Sequence, residues 1–159
     1  MPKIDLSAAP VRTGSIYPAE FAADVEGRSS LRLGPAGGLT QFGVNIVTLP
    51  PGVKASLRHW HETEDEFLIV LTGEMVLIED DGETPMRPGD CAAFPANVPN
   101  GHHMVNRSDA EASFLVVGTS FVGEIAHYPD HDLKVTITPE GPKFVRADGS
   151  PYVPPAAKD

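Results

Sequence analysis

An all-β fold, a closed barrel or a double-sheet jelly roll, is what this 159-residue sequence predicts. Three observations lead there. Fifteen Gly and sixteen Pro fall mostly between short apolar runs, a pattern of many turns rather than of a helical bundle. Several runs of strand length alternate apolar and polar residues or are apolar throughout, as at 41–49, 66–71 and 114–118. Finally, Asp80-Asp81-Gly82-Glu83 and Arg87-Pro88-Gly89-Asp90 are tight-turn sequences, because Asp-Gly tolerates positive φ and Pro-Gly suits the two central turn positions. About eight short antiparallel strands joined in this way make a container for a small ligand. The length suits one domain with a good core.

Taken in order, residues 1–38 read as an N-terminal arm, with Pro2, Pro10 and Pro18 breaking any long helix and one helical turn expected at Pro18–Ala22. Leu31 to Gly38 reads as a loop. Residues 39–122 form the barrel. In the strand Gln41–Leu49, Phe42, Val44 and Ile46 share one face, and Asn45 falls on the other, where it and Gln41 are cavity-lining candidates. Ser56–His61 is the next strand, and Glu62–Asp65 is a tight connection to a partner beginning at Glu66. The strand 66–71 is apolar on both faces and needs cover on both, from the arm, the last hairpin or a second subunit. Further strands follow at 74–78, 91–94, 102–106 and 114–118. Residues 123–159 are a C-terminal extension, with a strand at 134–138 and a hairpin across Asp148-Gly149; 154–159 are expected to fray.

The densest group of metal-binding side chains is His59-Trp60-His61 followed by Glu66. Side chains two apart on a strand share a face, so His59 and His61 aim two imidazoles at one point. Glu66, opening the next strand, faces back toward them, and two nitrogens with one carboxylate oxygen suit a divalent transition metal. His-x-His alone is a weak signal, since two histidines at a strand end are often ordinary polar residues. A second pair, His102-His103, strengthens it, because four of the six histidines fall in these two segments. Neighbouring strand residues face opposite ways, so only one of the second pair reaches the metal without a bulge. Arg58 and Trp60 lie on the opposite face, as a surface charge and a packing residue. Glu64 and Asp65, in a turn, read as solvated.

The formal net charge of −10 and pI near 4.9 disfavour nucleic acid and anionic membrane surfaces as partners. Cys91 is the only cysteine, so no intramolecular disulfide forms, and the residue reads as a small buried apolar side chain. No signal-peptide pattern or membrane-length apolar run is present, and the expectation is a cytoplasmic protein.

These segments together resemble the cupin superfamily. Gly52, His59, His61, Glu66 and Gly73 supply its first motif, with one extra residue between Gly52 and His59. Gly89, Pro95, His102 and Asn106 supply the second, with Asn97 where the family often has Gly and a loop about two residues longer before His102. Residues 39–43, 58–61, 100–103 and 128–130 are similar to a group of small bacterial single-domain cupins, some labelled sugar-phosphate isomerases. The resemblance covers roughly residues 40–120 and implies a single cupin-type jelly-roll barrel. It implies one divalent transition metal per chain (Fe, Mn, Ni, Co, Cu or Zn), held by His59, His61, Glu66 and His102. His102 is preferred to His103 because it keeps the spacing to Asn106; His103 and Asn106 are left to an outer shell or the cavity wall. A homodimer is implied as well. The function expected is a metal-dependent enzyme on a small polar metabolite, as a dioxygenase, decarboxylase, lyase or isomerase. The alternatives are a non-catalytic ligand-binding or sensing cupin and a barrel that has lost its metal.

Overall fold

The computed structural model describes residues 3–154. Strands β1 (Val11–Thr13) and β2 (Ser29–Arg32) flank a four-residue helical turn, α1 (Ala19–Ala22), which starts after Pro18 as expected. A second helical turn, α2 (Leu33–Ala36), leads to β3 (Phe42–Leu49), β4 (Trp60–His61) and β5 (Glu66–Thr72). The hairpin of β6 (Met75–Glu79) and β7 (Gly82–Met86) turns at Asp80-Asp81, and β8 (Cys91–Phe94) follows the Pro-Gly turn. The chain continues through β9 (His103–Val105), β10 (Ala112–Thr119), β11 (Ile125–Tyr128), β12 (Leu133–Thr138) and β13 (Gly141–Val145).

These strands make three antiparallel sheets in a jelly-roll arrangement. A six-stranded sheet runs β1-β2-β3-β10-β5-β8, a four-stranded sheet β13-β12-β11-β4, and a three-stranded sheet β7-β6-β9. Leu49, Leu68, Val70 and Phe114 from the six-stranded sheet pack on Met75, Leu77, Met86 and Met104 from the three-stranded one. Each such side chain, buried to within a few per cent of its surface, contributes about 1.5–3 kcal/mol. A second cluster, Leu57, Ala126, Tyr128, Leu133 and Val135, joins the four-stranded sheet to Tyr17 and Phe21 of the N-terminal segment.

Several local expectations are corrected. Ser56–Arg58 is a series of bends and not strand; only Trp60–His61 is regular, with His59 and His102 forming an isolated bridge. The segment Glu62–Asp65 does not close a hairpin, because β4 pairs with β11 whereas β5 pairs with β10 and β8. It carries the chain from one sheet to another. The region 31–38 is strand and helical turn rather than loop. The last hairpin of paired strands is β12–β13, turning before Gly141; across Asp148-Gly149 a tight turn closes with the bridge Val145–Pro151 and the Arg146 N–H on the Ser150 carbonyl at 2.9 Å, but no strand forms beyond it among the described residues. Strand order explains this: β13 completes the four-stranded sheet by pairing with the strand just before it. Segments 1–38 and 123–154 thus give strands to both large sheets. The expected fraying of 154–159 lies outside the described residues apart from Pro154. No helix among the described residues is long and apolar enough to cross a membrane.

Candidate metal centre

Three histidines and one glutamate from distant elements meet between the six- and four-stranded sheets. Three local devices deliver them. The bridge between His59 and His102 fixes those two backbones, with amide-to-carbonyl distances of 3.1 and 2.9 Å. His61 is set by the pairing of β4 with β11, opposite Ala126. Glu66 opens β5, opposite Phe94 and Gly118. Candidate ligand atoms of His59, His61 and Glu66 lie within 4.8 Å of one another. His102 joins them, with Nε2 3.6 Å from Glu66 Oε1 and its ring centroid 4.9 Å from that of His59. His61 Nε2 is 3.9 Å from Glu66 Oε2.

The outer nitrogens explain which inner ones are free. His59 Nδ1 lies 2.8 Å from the Leu57 carbonyl oxygen, which can only accept, so Nδ1–H donates and Nε2 keeps its lone pair. His61 Nδ1 lies 3.2 Å from Oε1 of Glu124, which fixes the same tautomer. Glu124 is 1% exposed, and its remaining capacity is filled by the backbone N–H groups of Glu62 and Thr63 at 3.0 and 2.9 Å and by the Thr63 hydroxyl. His102 stacks on Phe94 at 3.6 Å, and both of its ring nitrogens are buried without a hydrogen-bond partner. Buried polar atoms of this kind are rarely left without a partner.

Charge agrees with coordination. Burial, then the neighbouring His61 and His102, pulls His59 down to about 3, so it is neutral and able to ligate at physiological pH. Burial pushes Glu66 up, but the adjacent His102, then His59 and His61, outweigh it, and the carboxyl lies below its ordinary range. Three imidazole nitrogens and a carboxylate oxygen fit a divalent transition ion, and the lack of thiolate argues against a structural zinc site.

The other sequence candidates lie elsewhere. His103 points away from this group and bonds through Nδ1 to the Ser56 carbonyl at 3.0 Å. Asn106 is fully buried but organises a turn, donating to Leu49 and Ala110 carbonyls at 2.8 Å and accepting from Ser108. Gln41 is exposed, and neither it nor Asn45 is among the residues that line the cavity. Arg58 is a surface clamp on Asp130 and Asp80, and Trp60 stacks on His127 at 4.2 Å, both on the far face as expected. Glu64 is only partly solvated, less than expected of a turn residue. It lines the cavity, Oε1 accepts from the Phe121 N–H at 2.7 Å, and burial pushes its pKa up. Cys91 is exposed rather than buried, on an edge strand.

A cavity of about 270 Å³ opens beside His59, His61 and Glu66. Its apolar walls come from Val47, Phe114 and Val116 on one side and Ala126, Val135 and Ile137 on the other. Polar lining comes from Tyr17, Arg28, Ser56, Glu64, Glu124 and Tyr128. Sequence reasoning missed Arg28, Glu124 and Tyr17 as site residues. No motif surrounds them, and their segments were read as arm and extension.

The chain is similar to several known proteins. The family described as Cupin domain matches residues 45–118. A crystal structure from Silicibacter pomeroyi, described as a sugar phosphate isomerase from a cupin superfamily, is 57% identical over 96% of this chain and 97% of that one, with a TM-score of 0.93. A second, from Acidithiobacillus ferrooxidans and provisionally described as a sugar phosphate isomerase, is 25% identical over 79% and 80%, with a TM-score of 0.72. A Thermotoga maritima protein described as a predicted oxalate decarboxylase shares the fold at 21% identity, over 76% of this chain and all of that one, with a TM-score of 0.57. No match was found among curated proteins.

Proposed function

Because the chain belongs to the cupin superfamily, we propose that its histidine–glutamate cluster is a working metal centre and that the protein is a metal-dependent enzyme acting on a small polar metabolite. The reaction class is isomerisation of a sugar phosphate, supported by the description of the 57% identical Silicibacter pomeroyi relative. The observation that carries the metal reading is the arrangement of nitrogens. His59 and His61 each have Nδ1 engaged from behind and Nε2 free, next to a His102 whose two nitrogens have no other partner.

His59, His61, Glu66 and His102 would hold the ion, which when bound supplies a Lewis acid for the oxygens on the two carbons that exchange oxidation level. The chain's own groups do the rest. The apolar walls exclude water from the reacting carbons, and Ser56 and Tyr17 offer hydroxyls for orientation. Glu64 is the proton carrier: Oε1 is held by the Phe121 N–H, and its carboxylate faces the cavity. Isomerisation moves one proton from a carbon to its neighbour, which the Glu64 carboxylate takes and returns, and a second between their oxygens, which the Tyr17 hydroxyl relays by accepting one and giving up its own. The same reading has two copies pairing through the outer face of the six-stranded sheet, in a reducing cytoplasm suited to the free Cys91 thiol.

Elemental analysis of protein purified without added metal, followed by assay on aldose and ketose phosphates, tests this. A single transition ion per chain, lost in His61→Ala together with sugar-phosphate conversion, is the expected result. Metal-loaded protein that leaves every sugar phosphate unchanged sinks the isomerase reading. A metabolite recovered intact from the purified protein would favour a binding role instead.

A further inference from the structure

Arg28 immediately precedes β2 and lines the same cavity as His59, His61 and Glu66. One of its nitrogens, Nη1, donates to the Ala55 carbonyl at 2.6 Å. Among the described residues the guanidinium makes no salt bridge and no other hydrogen bond. Four other arginines behave differently: Arg58, Arg87, Arg107 and Arg146 each pair with a carboxylate near the surface. Arg28 alone is drawn inward without one.

The cost of that placement asks for a partner. Taking a cation out of water is unfavourable unless an opposite charge or several acceptors replace the lost hydration. Burial accordingly pulls the Arg28 pKa below its ordinary value, helped by Arg12 and opposed by the Glu66 carboxylate, and the group still stays protonated. The carboxylates on the cavity wall are already engaged. Glu66 belongs to the histidine cluster, Glu124 is saturated by His61, Glu62 and Thr63, and Glu64 accepts from Phe121. The bond to Ala55 uses one of five guanidinium N–H donors, so tethering that loop leaves most of the group unexplained. Beside it the Tyr17 hydroxyl oxygen accepts from the Leu57 N–H at 3.3 Å and keeps its own hydrogen to donate.

We infer that Arg28 is the anchor for an oxyanion carried by the cavity's ligand. The planar fork of the guanidinium holds a carboxylate or phosphate group, while the ligand's oxygens at the other end lie against His59, His61 and Glu66. Arg28 is then a specificity-determining residue, because a neutral analogue would leave the cation buried and unpaired. The inference rests on the proposed function for what lies at the far end of the cavity, and on the Arg28 geometry alone for the anion.

The test is calorimetric titration of the metal-loaded full chain with inorganic phosphate, malonate and glycerol, in the wild type, Arg28→Gln and Arg28→Lys. Gln keeps an amide donor for the Ala55 carbonyl and Lys keeps the charge without the fork; metal content and far-ultraviolet circular dichroism are followed for each. The wild type is expected to bind an oxyanion and not glycerol. Arg28→Gln should weaken that binding at least about tenfold with metal content unchanged, and Arg28→Lys should fall between. Phosphate binding tighter than malonate assigns a phosphate-bearing ligand, and the reverse order a carboxylate. A wild type that binds neither anion, or variants that bind them as tightly as it does, overturns the inference. Titrating metal-free protein separates the two readings: anion binding through Arg28 in a chain that takes up no metal removes the metal reading and keeps the anchor, and a metal-loaded chain without anion binding does the reverse.

Discussion

Glu124 shows how much a single residue can decide at this centre. Its carboxylate, 63 residues from His61 in sequence, fixes that ring by accepting from Nδ1 and ties the Glu62 and Thr63 amides of the sheet-to-sheet crossing to the same point. The orientation of His61 and the path of the chain into Glu66 therefore depend on one side chain. Glu124→Gln keeps the size of the group but removes its charge and offers a single acceptor oxygen. Metal affinity, measured by competition with a chromophoric chelator, is expected to fall about 10- to 100-fold, the usual cost of losing a partner behind a ligand. The fold should remain by circular dichroism, because the Gln oxygen still accepts from one backbone amide. Unchanged affinity would reduce Glu124 to a turn brace. His59 differs, since its Nδ1 is held by the Leu57 carbonyl and no side-chain substitution removes that acceptor.

At the scale of single elements, the turns carry the tightest constraints. Gly73, between β5 and β6, has φ +73°, and a Cβ there would lie 2.6 Å from Ala112 Cβ and 2.8 Å from Ala112 Cα. Gly52 has φ +79°, but a Cβ there would meet nothing within 4 Å. Both sites charge an alanine for left-handed backbone, roughly 1–2 kcal/mol, and only Gly73 adds a clash with backbone that cannot swing away. Gly73→Ala should lower Tm by at least about 4 °C and clearly more than Gly52→Ala in the same thermal melt; equal shifts would mean that the β5–β6 turn relaxes freely. Asn97 belongs with these turns. It stands where the resemblance calls for Gly, and its φ of +59° shows why Asn is accepted, being the non-glycine side chain most tolerant of that region. Such local rules were readable in the sequence, as were the meeting of His59, His61 and Glu66 and the Asp-Gly hairpin. Strand partnership was not. The pairing of β4 with β11 instead of β5 depends on a segment more than 60 residues away, and alternation within 56–71 is silent about it. Arg28 and Glu124 were missed for the same reason: their roles come from where the two large sheets meet.

On the whole molecule, one large surface lacks the cover that its residues require. Across the six-stranded sheet the register lines up Leu31, Ile46, Leu115, Ile69 and Cys91 in one row, and Val44, Val117, Phe67 and Ala93 in the next. Alternation places these rows opposite the buried Leu49, Leu68, Val70 and Phe114, on the outer face. Phe67 and Leu71 remain 41% and 40% exposed there. Among the described residues, the N-terminal strands extend this sheet at its edge and the β12–β13 hairpin belongs to another sheet. A contiguous apolar face on a sheet of this width is the usual mark of an association surface. A second copy suits it, since a two-fold axis would lay the same rows against each other and bury all of them at once. Light scattering at micromolar concentration is expected to give twice the chain mass of 16.9 kDa. Phe67→Glu, which sets a charge against its own symmetry mate near the centre of the face, should give monomers that keep the jelly roll and the metal, because the residue points away from the histidine cluster. A wild type that runs as a monomer, or a Phe67→Glu protein that stays dimeric, would show that this face is not the subunit contact.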